Sequence, residues 1–150
     1  MTGLAGEPEE VVPGIYIMHF GKEIKGGVEE AIGYLIMHSK LHFTKDARPK
    51  GVLPGSIILF TARGVLFGEA IATSGIKETP QEDLIWLKEK YGREYELVVD
   101  LDKDSIRIYP KRISIGEVER IIGKRRARVF TRIDNPALYI RLLNYIYGQH

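Results

Sequence analysis

Two aromatic side chains, Trp86 and Tyr91, stand five positions apart in a stretch that is otherwise mostly charged, Gln81 to Tyr95. Trp86 is the single tryptophan of the chain. An indole in a charged connector between two apolar runs is costly to expose unless a groove or a ligand covers it. Two rings at this spacing can wall a slot for a flat, apolar-faced ligand such as a nucleobase, and stacking of that kind contributes ~1–3 kcal/mol per base. The bland alternative is that Trp86 pins the connector to the core as a satellite cluster. The segment by itself leaves both open.

Charge points the same way as the rings. Between Arg107 and Arg132 stand nine Lys and Arg, namely Arg107, Lys111, Arg112, Arg120, Lys124, Arg125, Arg126, Arg128 and Arg132. Only Glu117 and Glu119 oppose them, so this segment carries +7 in a chain whose total is +2. A basic face on an otherwise acidic body is the footprint of polyanion binding; the alternative is a solvated basic loop. Lys124, Arg125, Arg126 and Arg128, with Lys111, Arg112 and Arg132 beside them, are the candidate contacts to a phosphate backbone. Arg48 and Lys50, in a second basic stretch, join them. Arg126 and Arg128 share one face if their segment is extended.

Other chemistries lack their parts. His19, His38 and His42 have no acidic or thiol partner nearby in sequence to complete a metal-ligand set. Ser56, Ser74 and Ser105 sit in no nucleophile elbow. Asp100, Asp102 and Asp104 alternate, but Lys103 interrupts them and neither the glycine nor the distal glutamate of a calcium loop follows. They read as turn residues. No cofactor and no catalytic role is expected.

At 150 residues, 44% hydrophobic and 28% charged, the chain is a single folded domain rather than a disordered one. The absence of cysteine excludes disulfides, thiol nucleophiles and Cys-based zinc sites. It agrees with a reducing, cytoplasmic setting. No run approaches the ~18 apolar residues of a membrane span. Residues 1–12 have neither the basic start nor the apolar middle of a signal peptide and are expected to be flexible, leaving 13–150 as the domain. Abundant Ile, Glu, Lys and Arg give a thermophile-like composition. The chain stops just after its last helix, as a whole small protein or one module of a longer one.

The elements that must position these groups follow from periodicity. Ile15 to Phe20 reads as a first strand, and Ile24 to His38 has helical apolar spacing. Lys40 to Leu53 reads as a basic loop. Ser56–Thr61 and Val65–Thr73, joined through Ala62-Arg63-Gly64, form a hairpin, with Gly68 marking a bulge or close backbone approach. The Trp86 connector carries a short helix. Tyr95–Asp100 and Ser105–Ile113 read as an antiparallel pair. Ser114 to Glu117 is a capping box opening a helix that Gly123 ends. Asn135-Pro136 opens a last helix. Strand runs with segregated helices indicate an α+β fold with a small curved sheet or barrel.

This pattern resembles the PUA-like superfamily, and within it the EVE and YTH domains. The residues carrying the resemblance are Leu53-Pro54-Gly55-Ser56-Ile57-Ile58-Leu59-Phe60 and Gly64-Val65-Leu66-Phe67-Gly68-Glu69-Ala70. Tyr95 to Val99 and Arg112 to Val118 are similar to the next strands and helix start. More specific are Trp86, Tyr91 and Tyr95, placed like the paired rings of a YTH connector, and Arg132-Ile133-Asp134 before the last helix. The resemblance implies an open barrel or curved sheet flanked by helices. It also implies an aromatic cage around the methylamino group of N6-methyladenine, with Trp86 and Tyr91 as walls. The family's other cage tryptophan follows the first helix, where this chain has Met37 and His38. Phe43 substitutes if its loop folds over, and Tyr16 and Phe20 of the first strand line the floor. Relatives of this type are the DNA-reading modules of archaeal McrBC-type restriction systems. The implied function is a non-catalytic reader of a base flipped out of methylated DNA, with a fused or associated AAA+ GTPase and nuclease subunit as partners. An RNA-binding PUA-like domain is the alternative, and a protein-interaction domain with Trp86 as anchor the third.

Overall fold

The computed structural model describes residues 12–47, 51–125 and 130–148. Its centre is a run of strands apolar on both faces. β1 (Ile15–His19) lies parallel to β3 (Ile57–Ala62), and β3 turns back into β4 (Val65–Ile71). The turn is Arg63-Gly64, with φ of 52° and 78°. Two successive left-handed residues match the twist of the strands they join, which is why a glycine stands second. β4 pairs with β7 (Arg107–Ser114), and β1 pairs on its other side with β8 (Phe130–Arg132). The resulting order is β7-β4-β3-β1-β8.

A second sheet of three short strands has the order β2-β6-β5, built from β2 (Lys40–Phe43), β6 (Leu97–Asp100) and β5 (Lys77–Glu78). Among the described residues neither sheet closes on itself, as expected of a curved sheet or an open barrel. The architecture is α+β.

Alternation along the central strands divides the core in two. Tyr16, Met18, Ile58 and Phe60 point to one side, where α1 (Gly27–His38) brings Val28, Ala31 and Leu35 and the second sheet brings Leu41, Phe43 and Val99. Ile17, Leu59 and Leu66 point to the other. There α3 (Ile115–Ile122) and α4 (Pro136–Ile146) bring Val118, Ile121, Tyr139, Leu142 and Ile146. A strand covered on both faces needs apolar side chains on both, hence the unbroken Ile-Ile-Leu-Phe of β3.

Local signals act as expected. Ser114 Oγ accepts the Glu117 N–H at 3.2 Å, Gly123 ends α3 at φ 68°, and Asn135 Oδ1 accepts the Ala137 N–H at 3.0 Å. At Gly68 the β4–β7 register shifts, and a Cβ there would sit 2.6 Å from the Arg107 carbonyl oxygen. His19 is buried, its ring nitrogens 2.7 Å from Thr61 Oγ1 and 3.1 Å from Thr131 Oγ1, tying β1 to both neighbours.

Two expectations are corrected. Lys40 to Leu53 is not a continuous loop, because Lys40–Phe43 forms β2 and Lys45–Ala47 a 3₁₀ turn. The strand ending at Asp100 does not pair with the one after Ser105. β6 pairs with β2, in the register Leu41↔Val99, and β7 pairs with β4. The cause is local: Asp102 accepts the Asp104 N–H at 3.0 Å, closing a 3₁₀ turn over Lys103–Ser105 that carries the chain from one sheet to the other rather than back along itself.

Candidate functional site

The charged connector around Trp86 folds as α2 (Gln81–Tyr91). Only Leu87 of this helix is fully buried, and Gly92 ends it in the left-handed conformation at φ 72°. α2 lies beside the C-terminal half of α1, and between them is a nest of rings. The indole of Trp86 is half-buried and stacks on the imidazole of His38, with centroids 4.5 Å apart and 20° between planes. Tyr34, one turn earlier on α1, meets His38 edge-on at 4.9 Å and lies 6.4 Å from both Trp86 and Tyr91. Phe20 closes on Tyr34 at 6.1 Å, and Tyr95 on Tyr91 at 6.3 Å.

One carboxylate orders this nest. Asp83, three residues before Trp86 and so on the same face of α2, accepts the indole N–H on Oδ1 at 3.2 Å. Its Oδ2 takes Lys40 Nζ at 3.2 Å and His42 Nε2 at 3.1 Å. His42 Nδ1 is in turn hydrogen-bonded to the Tyr34 hydroxyl. Burial, with the nearby Tyr91, Tyr95 and Asp83, raises the Tyr34 pKa far above its ordinary value, so this hydroxyl is a donor. His42 therefore accepts on Nδ1 and donates from Nε2. Burial lowers the His42 pKa, with Asp83 pulling the other way, so the 3.1 Å contact is a neutral N–H to carboxylate bond rather than an ion pair. For Asp83 itself, burial works upward, but the bonds from His42, Lys40 and Trp86 outweigh it and hold the carboxyl below its usual range.

The residues expected to form a cage divide into three sets. Trp86, Tyr91, His38 and Phe20 are brought together. Tyr16 and Phe43 are buried in a neighbouring ring group around Phe130, at 6.4 and 5.2 Å from it. Met37 points outward from the last turn of α1 and is 77% exposed. Tyr34, His42, Asp83 and Lys40 are members that sequence reasoning passed over. Spacing carries part of the signal, since Tyr34 lies one turn before His38 and Lys40 and His42 alternate along one strand, whereas Asp83 has no mark of its own in the sequence.

Lys111 and Arg112 lie on β7 and Arg132 on β8, the opposite edges of the five-stranded sheet. At the β7 edge, Lys111, Arg112, Ile113, Ser114, Glu117 and Tyr145 line an open cleft of about 190 Å³. Arg112 is held there by Glu29 of α1 at 2.5 Å, and Lys111 lies 4.7 Å from the Tyr145 ring centroid. At the β8 edge, Arg132 lies over Tyr16, and Lys124 donates to the Arg132 carbonyl at 2.8 Å and reaches Asp134 at 3.4 Å. Arg125 is exposed. Arg48, Lys50, Arg126 and Arg128 lie outside the described residues. Among the described residues there is no group of three or more His, Asp or Glu placed to hold a metal ion, and no helix long and apolar enough to cross a membrane.

No protein-family model and no curated protein matches the chain. Solved structures do. The chain is similar to the YTH domain of the Zygosaccharomyces rouxii MRB1 protein, determined in complex with N6-methyladenosine RNA. The TM-score is 0.56 at 11% identity, over 93% of this chain and 92% of that one. It is also similar to the N-terminal domain of Thermococcus gammatolerans McrB bound to m5C DNA, with a TM-score of 0.53 at 13% identity, over 91% of this chain and 98% of that one. At such identities the likeness is one of fold. The YTH-type and McrB-type resemblance drawn from the hairpin and the Trp86 connector is borne out at that level.

Proposed function

We propose that this chain is a non-catalytic reader of a methylated nucleobase, with N6-methyladenine in DNA as the favoured ligand. The observation that carries the reading is the ring nest: the only indole, on a two-sheet fold shared with domains bound to methylated RNA and methylated DNA, held at its N–H by a carboxylate that Lys40 and His42 fix in place. Trp86 and Tyr91 supply the stacking surfaces, and Phe20, Tyr34 and His38 close the nest. Met37 lies at its rim, and Tyr16 and Phe43 support the floor from the adjoining ring group. A base taken from a duplex costs a few kcal/mol to unstack, which stacking on the indole and contacts to phosphate offset. The cations of the β7 and β8 edges, Lys111, Arg112, Lys124, Arg125 and Arg132, together with Arg48, Lys50, Arg126 and Arg128, hold the backbone. Cleavage in such a restriction system belongs to an AAA+ GTPase and nuclease partner or to another domain.

The similarity to a domain determined with RNA favours a second reading, a PUA-like domain for modified or structured RNA. One titration separates these. Labelled oligonucleotides that are unmodified, N6-methyladenine- or 5-methylcytosine-bearing are offered as DNA duplex and as RNA, to wild type and to Trp86→Ala. The proposal expects the N6-methyladenine duplex to bind tightest, with that preference lost in Trp86→Ala. Equal affinity for all DNA duplexes and a preference for RNA would replace it with the second reading.

A further inference from the structure

One face of the Trp86 indole is already taken. His38 lies on it in the parallel, close-centred arrangement that a stacked base adopts, while Tyr34 stands edge-on to His38 as the end wall. Tyr34 and His42, the other rings near the indole, are tilted or perpendicular to it, at 50° and 85°. Among the described residues, His38 is thus the one ring stacked on the indole. We infer that His38 is a self-ligand: in the free protein its imidazole occupies the base's seat on Trp86, and a flipped base binds only by displacing it. This rests on the base-reading function proposed above and assigns His38 a part opposite to that of a cage wall.

The surroundings of His38 allow the exchange. It is the last residue of α1, and the next, Ser39, leaves the helix in the left-handed conformation at φ 50°. His38 is half-exposed, and its preceding neighbours Ile36 and Met37 are 52% and 77% exposed, so the ring can rotate outward without disturbing a packed core. The walls that remain are anchored independently of it. Trp86 is held by Asp83, and Tyr34 by His42. A displaced imidazole therefore leaves a formed slot rather than a collapsed one. Burial lowers the His38 pKa, with Asp83 opposing and Lys90 and Lys40 reinforcing, so the occupant is a neutral flat ring, as a base is.

A plug and a wall make different thermodynamic predictions. A plug lowers the apparent affinity of every base by the same factor, the fraction of protein with the seat open. A wall adds contacts to the methyl group and so favours the methylated base alone. The test measures dissociation constants for methylated and unmodified duplexes with wild type, His38→Ala and His38→Phe. Ala leaves the seat empty and is a good helix former; Phe is a larger plug. The inference expects His38→Ala to bind both duplexes roughly two- to tenfold more tightly, the range of an aromatic stacking contact, with their ratio unchanged. His38→Phe is expected to weaken both, again without changing the ratio. Selective loss of methylated-duplex binding in His38→Ala would overturn the plug in favour of a wall, and unchanged affinities would overturn it outright. If wild type binds neither duplex, the base-reading function fails and the inference falls with it. Emission from Trp86 in the unliganded proteins separates the two failures, because removing a stacked imidazole changes that emission whether or not any nucleic acid binds.

Discussion

Replacing Asp83 by alanine should loosen the whole nest, and the size of the loss can be worked out from its partners. Three donors lose their acceptor: Trp86 Nε1, Lys40 Nζ and His42 Nε2. They do not lose equally. The Lys40 side chain is 34% exposed and finds water, so its share is near zero. Trp86 is half-buried, and water can replace part of its bond. The His42 side chain is 1% exposed, and its N–H is left unpaired at about 1–3 kcal/mol. Adding a partial contribution from the indole, we predict a loss of about 2–3 kcal/mol, which lowers Tm by roughly 4–12 °C in a domain of this size. Asp83→Asn should cost about half as much, because His42 can change tautomer, accept from the amide on Nε2 and donate from Nδ1 to the Tyr34 oxygen. Urea unfolding followed by far-UV circular dichroism measures both variants. A loss below about 0.5 kcal/mol in Asp83→Ala, the usual size for a surface substitution, would refute the idea that this carboxylate organises the nest.

Further outcomes follow from other buried groups. Glu69 is 5% exposed and accepts from the Tyr109 hydroxyl at 2.7 Å, the Tyr139 hydroxyl at 2.9 Å and Arg107 at 2.9 Å. We predict that Glu69→Ala, which strands two buried hydroxyls, destabilises by about 3–5 kcal/mol in denaturant unfolding without loss of nucleic-acid selectivity, and that Glu69→Gln costs clearly less. His42 is neutral when folded and has its ordinary value of 6.5 when unfolded. Below that pH the unfolded chain takes up a proton that the folded one refuses, so stability present above 6.5 is lost as pH falls beneath it. Stability measured between pH 7 and 5 should therefore fall more steeply in wild type than in His42→Gln, and parallel slopes would contradict the neutral assignment.

How much of this was legible in the chain depended on whether the cause was local. Ser114, Gly123 and Asn135 act within one helical turn, and the Arg63-Gly64 turn within four residues, so these boundaries could be read directly. The partner of a strand is not a local property. The strand at Leu97–Asp100 looked destined for the next run, but a short turn at Asp102 diverts the chain, and its partner, Lys40–Phe43, is too short and too polar to announce itself. The placement of the basic segment is hidden in the sequence for a related reason. Its residues are close in sequence, but the strands that hold Arg112 and Arg132, β7 and β8, are the two edge strands of the five-stranded sheet. Trp86 and Tyr91 could be singled out because a large ring in a charged stretch is conspicuous. Asp83 could not, because an aspartate in the first turn of a helix is ordinary, and only the fold shows that it faces His42 and Lys40.

The indole itself reports most directly on the central claim. Emission from Trp86, the single tryptophan, is followed while unmodified, N6-methyladenine and 5-methylcytosine duplexes are added at two salt concentrations. The account predicts a change that saturates with the N6-methyladenine duplex alone, persists at the higher salt and vanishes in Tyr91→Ala. Salt-sensitive binding that is equal for all three duplexes and leaves the Trp86 emission unmoved would contradict it, and would make the chain a general binder of polyanions.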